Sequence, residues 1–209
     1  MATHFAGFLA ACVGALALVL ASTADTSKAW AMGIYGGAMA FVFFASSVYH
    51  HFDLGPRANT WLRKLDHVAI FAMIAGSYVP VVIHLLDGAW RTSMLAVIGG
   101  IALLGSAFKL WWVDCPRWLS VGLYVGMGWI VVVPAHLILP QLGGAMLAWL
   151  ALGGAAYMVG AVIYAVQRPD PWPGVFGHHE VWHLFVLAGA GAHYVAMRFL
   201  LDVPVPAWS

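Results

Sequence analysis

The chain has 209 residues, 63% of them hydrophobic and only 8% charged, with a formal net charge of +1. A soluble domain carries roughly 25% charged residues, so this balance excludes a soluble enzyme and a disordered chain, and it offers no basic surface to a nucleic acid. The sequence reads as an integral membrane protein whose whole length, 1–209, forms a single membrane domain, because no connection is long enough to hold a second.

A helix needs roughly 20 apolar residues to cross the hydrocarbon core. The first such segment is Phe5–Ser22, and no Lys or Arg precedes it as one would in a secretory signal, so it is expected to remain as a span. The second, Ala29–His50, follows Thr23-Ala24-Asp25-Thr26 and ends on Ser46 and His50. Asp53-Leu54-Gly55-Pro56 then breaks the chain, and the third segment, Lys64–Leu86, opens with Asp66 and His67. The fourth is Arg91–Trp112, after Asp87-Gly88. Arg117–Leu139, the fifth, follows Asp114-Cys115-Pro116, and the sixth is Gly143–Val166. The Pro-rich turn Arg168-Pro169-Asp170-Pro171-Trp172 leads to the seventh, His179–Leu201, which opens with His179, Glu180 and His183. The predicted fold class is therefore all-α, a bundle of seven transmembrane helices.

Orientation follows from Lys and Arg. Arg57, Arg63, Lys64, Lys109, Arg117 and Arg168 fall on one side, against Lys28, Arg91 and Arg198 on the other. The expected location is a bacterial inner membrane, with the amino terminus cytoplasmic and the carboxyl terminus external. Gly99-Gly100, Gly153-Gly154 and Gly122-xxx-Gly126 are expected to let helices approach closely within the chain. Trp61, Trp90, Trp111, Trp112, Trp172 and Trp208 lie near span ends, as in an aromatic belt. Cys12 and Cys115 form neither a disulfide framework nor a CxxC metal pattern.

Ionisable residues inside spans are functional candidates by default. With alternating spans, Ser46 and His50 at the end of the second helix, Asp66 near the start of the third, and His179 and His183 at the start of the seventh share one level. All lie within about two turns of the cytoplasmic boundary. His179 and His183 stack on one face at i and i+4, and so do Ser46 and His50. Two His from one helix and one from a neighbour make a three-nitrogen site that leaves zinc a fourth position for water. Asp66 then holds that water or orients a ligand, with Ser46 beside it.

The His-xxx-His pair alone is weak, since roughly half an occurrence is expected by chance at this His content. His179-Glu180-Val181-Trp182-His183 also reads as HExxH, but nothing else in the chain supports a protease, and Glu180 is expected to face the interface or a loop. His4, His51, His67 and His178 read as interfacial residues, His84 and His136 as structural, and His193 as a candidate cavity wall.

Ser46-Ser47-Val48-Tyr49-His50-His51-Phe52, Lys64-Leu65-Asp66-His67, Gly76-Ser77-Tyr78-Val79-Pro80 and Gly177-His178-His179-Glu180-Val181-Trp182-His183 together resemble the hemolysin III family. That family is similar to the progestin and adipoQ receptors and, more distantly, to alkaline ceramidases. The resemblance implies a seven-helix bundle with one zinc near the cytoplasmic side. It implies His50, His179 and His183 as ligands, Asp66 as the water-holding or catalytic carboxylate and Ser46 as its neighbour. It also implies bacterial membrane-lipid homeostasis or haemolytic activity. The chain departs from the family pattern at its start, where relatives carry an acidic residue and Asn and this chain has Thr3-His4.

Three functions compete. One is a zinc-dependent lipid hydrolase whose lipid substrate enters sideways from the bilayer. Another is a receptor-like sensor in which zinc joins two helices, and the third is a permeabilising hemolysin, disfavoured because no span carries a polar stripe. A retinal protein would need a Lys in the last span, but the lysines are Lys28, Lys64 and Lys109. A diheme cytochrome would pair His50 with His183 and His84 with His193.

Overall fold

The computed structural model describes residues 2–172 and 174–206; Trp208 lies outside them. Helices α1 (Ala2–Ala21), α2 (Thr26–His51), α3 (Pro56–Leu85) and α4 (Gly88–Trp111) are followed by α5 (Arg117–Trp129) and the short α6 (Ala135–Ile138), then α7 (Gly144–Val166) and α8 (His178–Phe199). Among the described residues six helices are long and apolar enough to cross a membrane, and α5 with α6 forms a bent seventh. The fold is a seven-helix membrane bundle. Among the described residues the only β pairing is an isolated bridge between Trp172 and Phe176.

Local chemistry sets the ends. The Asp25 carboxylate accepts the Lys28 N–H at 3.0 Å and caps α2. Gly55 has φ +89° and so turns the chain just before Pro56 opens α3, where the missing N–H of proline costs nothing. At the start of α8 the Glu180 carboxylate accepts the Gly177 N–H at 2.9 Å, and Asp170 accepts the His178 N–H at 3.3 Å. These bonds fix where His179 begins its helix.

The fifth span, expected as the single segment Arg117–Leu139, breaks into two helices. Its two parts, 117–132 and 135–141, are inclined by 47°. Pro134 has no N–H to give and its ring crowds the preceding turn. Tyr78 of α3 covers the loosened backbone: its hydroxyl accepts the Val131 N–H at 2.9 Å and donates to the Gly128 carbonyl at 2.7 Å.

α1 packs on α2, α2 on α3, α3 on α4 and α7 on α8, while α8 closes against α1. α5 touches α3, α4 and α7 more sparsely. Small residues do permit close approach, but partly at other places than the glycine doublets suggest. A Cβ on Gly36 would strike Ala15 of α1, and one on Gly153 would strike His193. By contrast, Gly99, Gly100, Gly122, Gly126 and Gly154 face open space. The hydrophobic surface points outward, as a bilayer requires: Val13, Leu103 and Leu104 are all exposed. Trp61, Trp90, Trp111, Trp112 and Trp172 are also exposed, consistent with an aromatic belt.

Lys109 lies at a helix end, as the orientation argument has it, but it does not face solvent. It is 0% exposed and donates to Ser120 Oγ at 2.8 Å, Cys115 Sγ at 3.2 Å and the Val113 carbonyl at 3.3 Å. It thereby folds the α4–α5 turn around its ammonium. The same turn is tied to α3 by the Arg63–Asp114 ion pair, which holds the Asp114 carboxyl below the ordinary carboxylate range.

Candidate metal centre

The antiparallel order brings the start of α1, the end of α2, the early turns of α3 and the start of α8 to one end of the bundle. His50 comes from the last turn of α2, and His179 and His183 come from the first two turns of α8. One ring nitrogen from each lies within 4.8 Å of the others, and they form the one group of this kind among the described residues. His50 Nε2 and His179 Nε2 face each other at 3.1 Å. Three imidazole nitrogens bonded to one tetrahedral zinc at about 2.0–2.1 Å would lie about 3.3 Å apart. The donor set and its spacing thus fit a zinc ion with small side-chain adjustments.

Asp66 is 15% exposed and lines the same cavity from α3, next to the Ser46 hydroxyl. Ser46 sits one turn below His50 on α2 and is buried. All five residues predicted from sequence, Ser46, His50, Asp66, His179 and His183, are therefore brought together. They line one cavity of about 1290 Å³. From the site it runs along α3 between Arg63 and Val81, eighteen residues or about 27 Å of helix. That exceeds the roughly 15 Å of hydrocarbon in one leaflet. Ala151, Gly154 and Ala155 of α7 and Val125 of α5 form much of its apolar wall, and the sparse contacts of α5 leave it room. His193 lines it too, as its spacing from His179 suggests.

Other polar residues distribute differently from expectation. His4 is not interfacial: it is 4% exposed and packed inside the site. Its ring stacks on His183 at 3.8 Å, and its Nδ1 lies 2.8 Å from Ser46 Oγ. A signal for it existed, because antiparallel alternation places the first turn of α1 level with the last turn of α2. Tyr124, which no sequence motif marks, also lines the cavity, and its buried hydroxyl has no hydrogen-bond partner among the described residues. His67 lines the cavity but gives its Nδ1–H to the Arg63 carbonyl at 2.8 Å. His84 gives its Nδ1–H to the Pro80 carbonyl at 2.7 Å, which suits a structural role.

Glu180 is spent on the cap of its own helix, as the bond to Gly177 shows. A protease-type general base would instead point at the metal. Glu180→Gln is therefore expected to keep metal uptake and any hydrolytic activity within about threefold of wild type, well short of the 10²–10⁴-fold that a general base contributes. A hundredfold loss of activity with metal retained would return Glu180 to the site.

A family model described as haemolysin-III related matches residues 1–194. The chain is similar to the "Hemolysin-3 homolog" of Bacillus subtilis (strain 168), with 30% identity over 94% of this chain and 90% of that protein. It is also 30% identical to "Hemolysin-3" of Bacillus cereus, over 94% and 88% of the two chains. A "Heptahelical transmembrane protein ADIPOR2" of Oryza sativa subsp. japonica is 35% identical over 79% of each chain.

Proposed function

The chain belongs to the haemolysin-III related family, and from that premise we propose that it is a zinc-dependent hydrolase of lipid amides or esters, acting in membrane-lipid homeostasis in a bacterial cell membrane. The observation that carries this reading is the His50–His179–His183 triad at the head of a long apolar cavity, with a carboxylate beside it.

His50, His179 and His183 hold the metal. Bound zinc lowers the pKa of a coordinated water and polarises an acyl carbonyl. Asp66 holds the attacking water by accepting its hydrogen at a carboxylate oxygen, takes that proton as the water oxygen bonds to the acyl carbon, and gives it to the amine or alcohol that leaves as the acyl C–N or C–O bond breaks. Ser46 supports Asp66 and the water. The cavity walls along α3, α5 and α7 take the apolar tail and keep bulk water from the site. The lipid enters sideways from the bilayer past α5, which packs most sparsely. Lys and Arg placement supports a cytoplasmic amino terminus, with the site near the cytoplasmic face.

The cavity gives a test of substrate class. A Cβ on Gly154 meets nothing within 4 Å, and Gly154 lines the cavity, so a side chain added there starts without a backbone clash and takes up cavity space. Gly154→Phe is expected to cut hydrolysis of long-chain lipid amides or esters at least tenfold while sparing short-chain esters, because one lost apolar subsite is worth roughly 1–3 kcal/mol. Equal losses on short and long chains would show that the cavity does not hold the tail.

A receptor-like sensor is the second reading, favoured by the likeness to a protein named for an adiponectin receptor. Zinc then joins α2 to α8 and alters conformation without turnover.

A further inference from the structure

On the basis of the hydrolase reading above, we propose that His4 is a positioning residue: it fixes the direction of the Ser46 hydroxyl, so that Ser46 offers its lone pairs, and not its hydrogen, to the water held by Asp66. No motif reading assigns His4 to the site.

The assignment follows from hydrogen accounting. His4 is buried, stacked on His183 at an interplanar angle of 11° and set edge-on to Phe43 at 5.2 Å. Its Nε2 lies 3.3 Å from the His183 backbone carbonyl, which can only accept, so Nε2 carries the hydrogen. A neutral imidazole has one N–H, so Nδ1 bears a lone pair. Ser46 Oγ, 2.8 Å from Nδ1, must then donate to it. A hydroxyl has only that one hydrogen, so toward Asp66 it can only accept. In the hydrolase reading, the water held by Asp66 then meets an acceptor at Ser46 and no competing hydrogen. Without an acceptor at His4, the Ser46 hydroxyl turns onto the Asp66 carboxylate and takes the place of the water. His4 touches no metal or substrate in this scheme and acts through Ser46.

The first test needs no metal and no substrate. Full-length protein labelled with 15N-histidine is examined by NMR, and the His4 resonances are identified by their loss in His4→Phe. The expected state is Nε2 protonated and Nδ1 bare, with Ser46→Ala moving the Nδ1 resonance. A His4 protonated at Nδ1 would overturn the assignment.

The second test uses Co2+ as the probe, with its visible spectrum and affinity measured as a function of pH. His4→Phe keeps the stacking surface and is expected to weaken cobalt binding about tenfold, the lower end of the roughly 10–100-fold range for residues that support metal ligands, and to shift the pH profile of the spectrum. His4→Asn restores an acceptor near the Nδ1 position and should recover most of both. In a Ser46→Ala background, His4→Phe should add nothing. Additive losses, or an Asn variant no better than Phe, would mean that His4 is only packing and would overturn the proposal. Failure of the wild type to take up cobalt would instead remove the metal reading, and the histidine resonances would still decide how His4 and Ser46 are bonded.

Discussion

Replacing both histidines of α8, His179→Ala/His183→Ala, is expected to abolish metal binding. Elemental analysis of the detergent-purified wild type should find about one zinc per chain, and the variant essentially none, because zinc sites need three or four protein ligands. The two substitutions leave only His50 of the triad. A metal held by the triad would join α2 to α8, so its removal should be visible without any substrate. A ligand present at a thousand times its dissociation constant stabilises the folded state by about 4.1 kcal/mol. A chelator should therefore lower the melting temperature of the wild type and leave the variant unmoved. Hydrolysis, where detected, should vanish with the zinc. A wild type that carries no metal after careful purification would reduce the triad to packed histidines and end the hydrolase reading.

Asp66→Asn should separate catalysis from binding. The substitution keeps shape and one carbonyl oxygen but removes the proton acceptor. Zinc content should remain near one per chain, since Asp66 is not in the ligand triad. Turnover of a lipid amide or ester should fall by roughly 10²–10⁴, the usual contribution of a general base. A sensor that uses zinc only to join helices would keep its signalling or lipid-homeostasis phenotype in this variant. Unchanged hydrolysis in Asp66→Asn would remove Asp66 from the mechanism, and an unchanged cellular phenotype with no hydrolysis in either protein would favour the sensor.

Much of this site is visible before any coordinates. The i, i+4 pair His179 and His183 must share a helix face, whatever the rest of the chain does. Alternating spans put the end of α2 and the start of α8 at one level, so His50 falls opposite that pair. Asp66 and Ser46 follow from the same counting. His4 obeys it as well, but a histidine four residues from the chain start resembles any interfacial residue. Only the packing of α1 against α2 and α8 places it between Ser46 and His183.

Lys109 and the glycines show the limit of such reading. The sequence marks Lys109 as a cation near a helix end, and that holds; its burial against Ser120 and Cys115 depends on how the next turn folds back. Gly122-xxx-Gly126 has the spacing of a packing face, yet both glycines face open space. In a membrane helix almost every face is apolar, so periodicity does not say which face meets a neighbour.

By itself, the sequence determined the spans, their number and the level of each ionisable residue, because the bilayer imposes length and apolarity on each segment locally. Tertiary structure alone decided that Tyr78 covers the bend at Pro134, where the long cavity beside α5 lies, and the place of His4 inside the site. Each of these depends on which helix faces meet, and that is set by contacts between residues far apart in the chain.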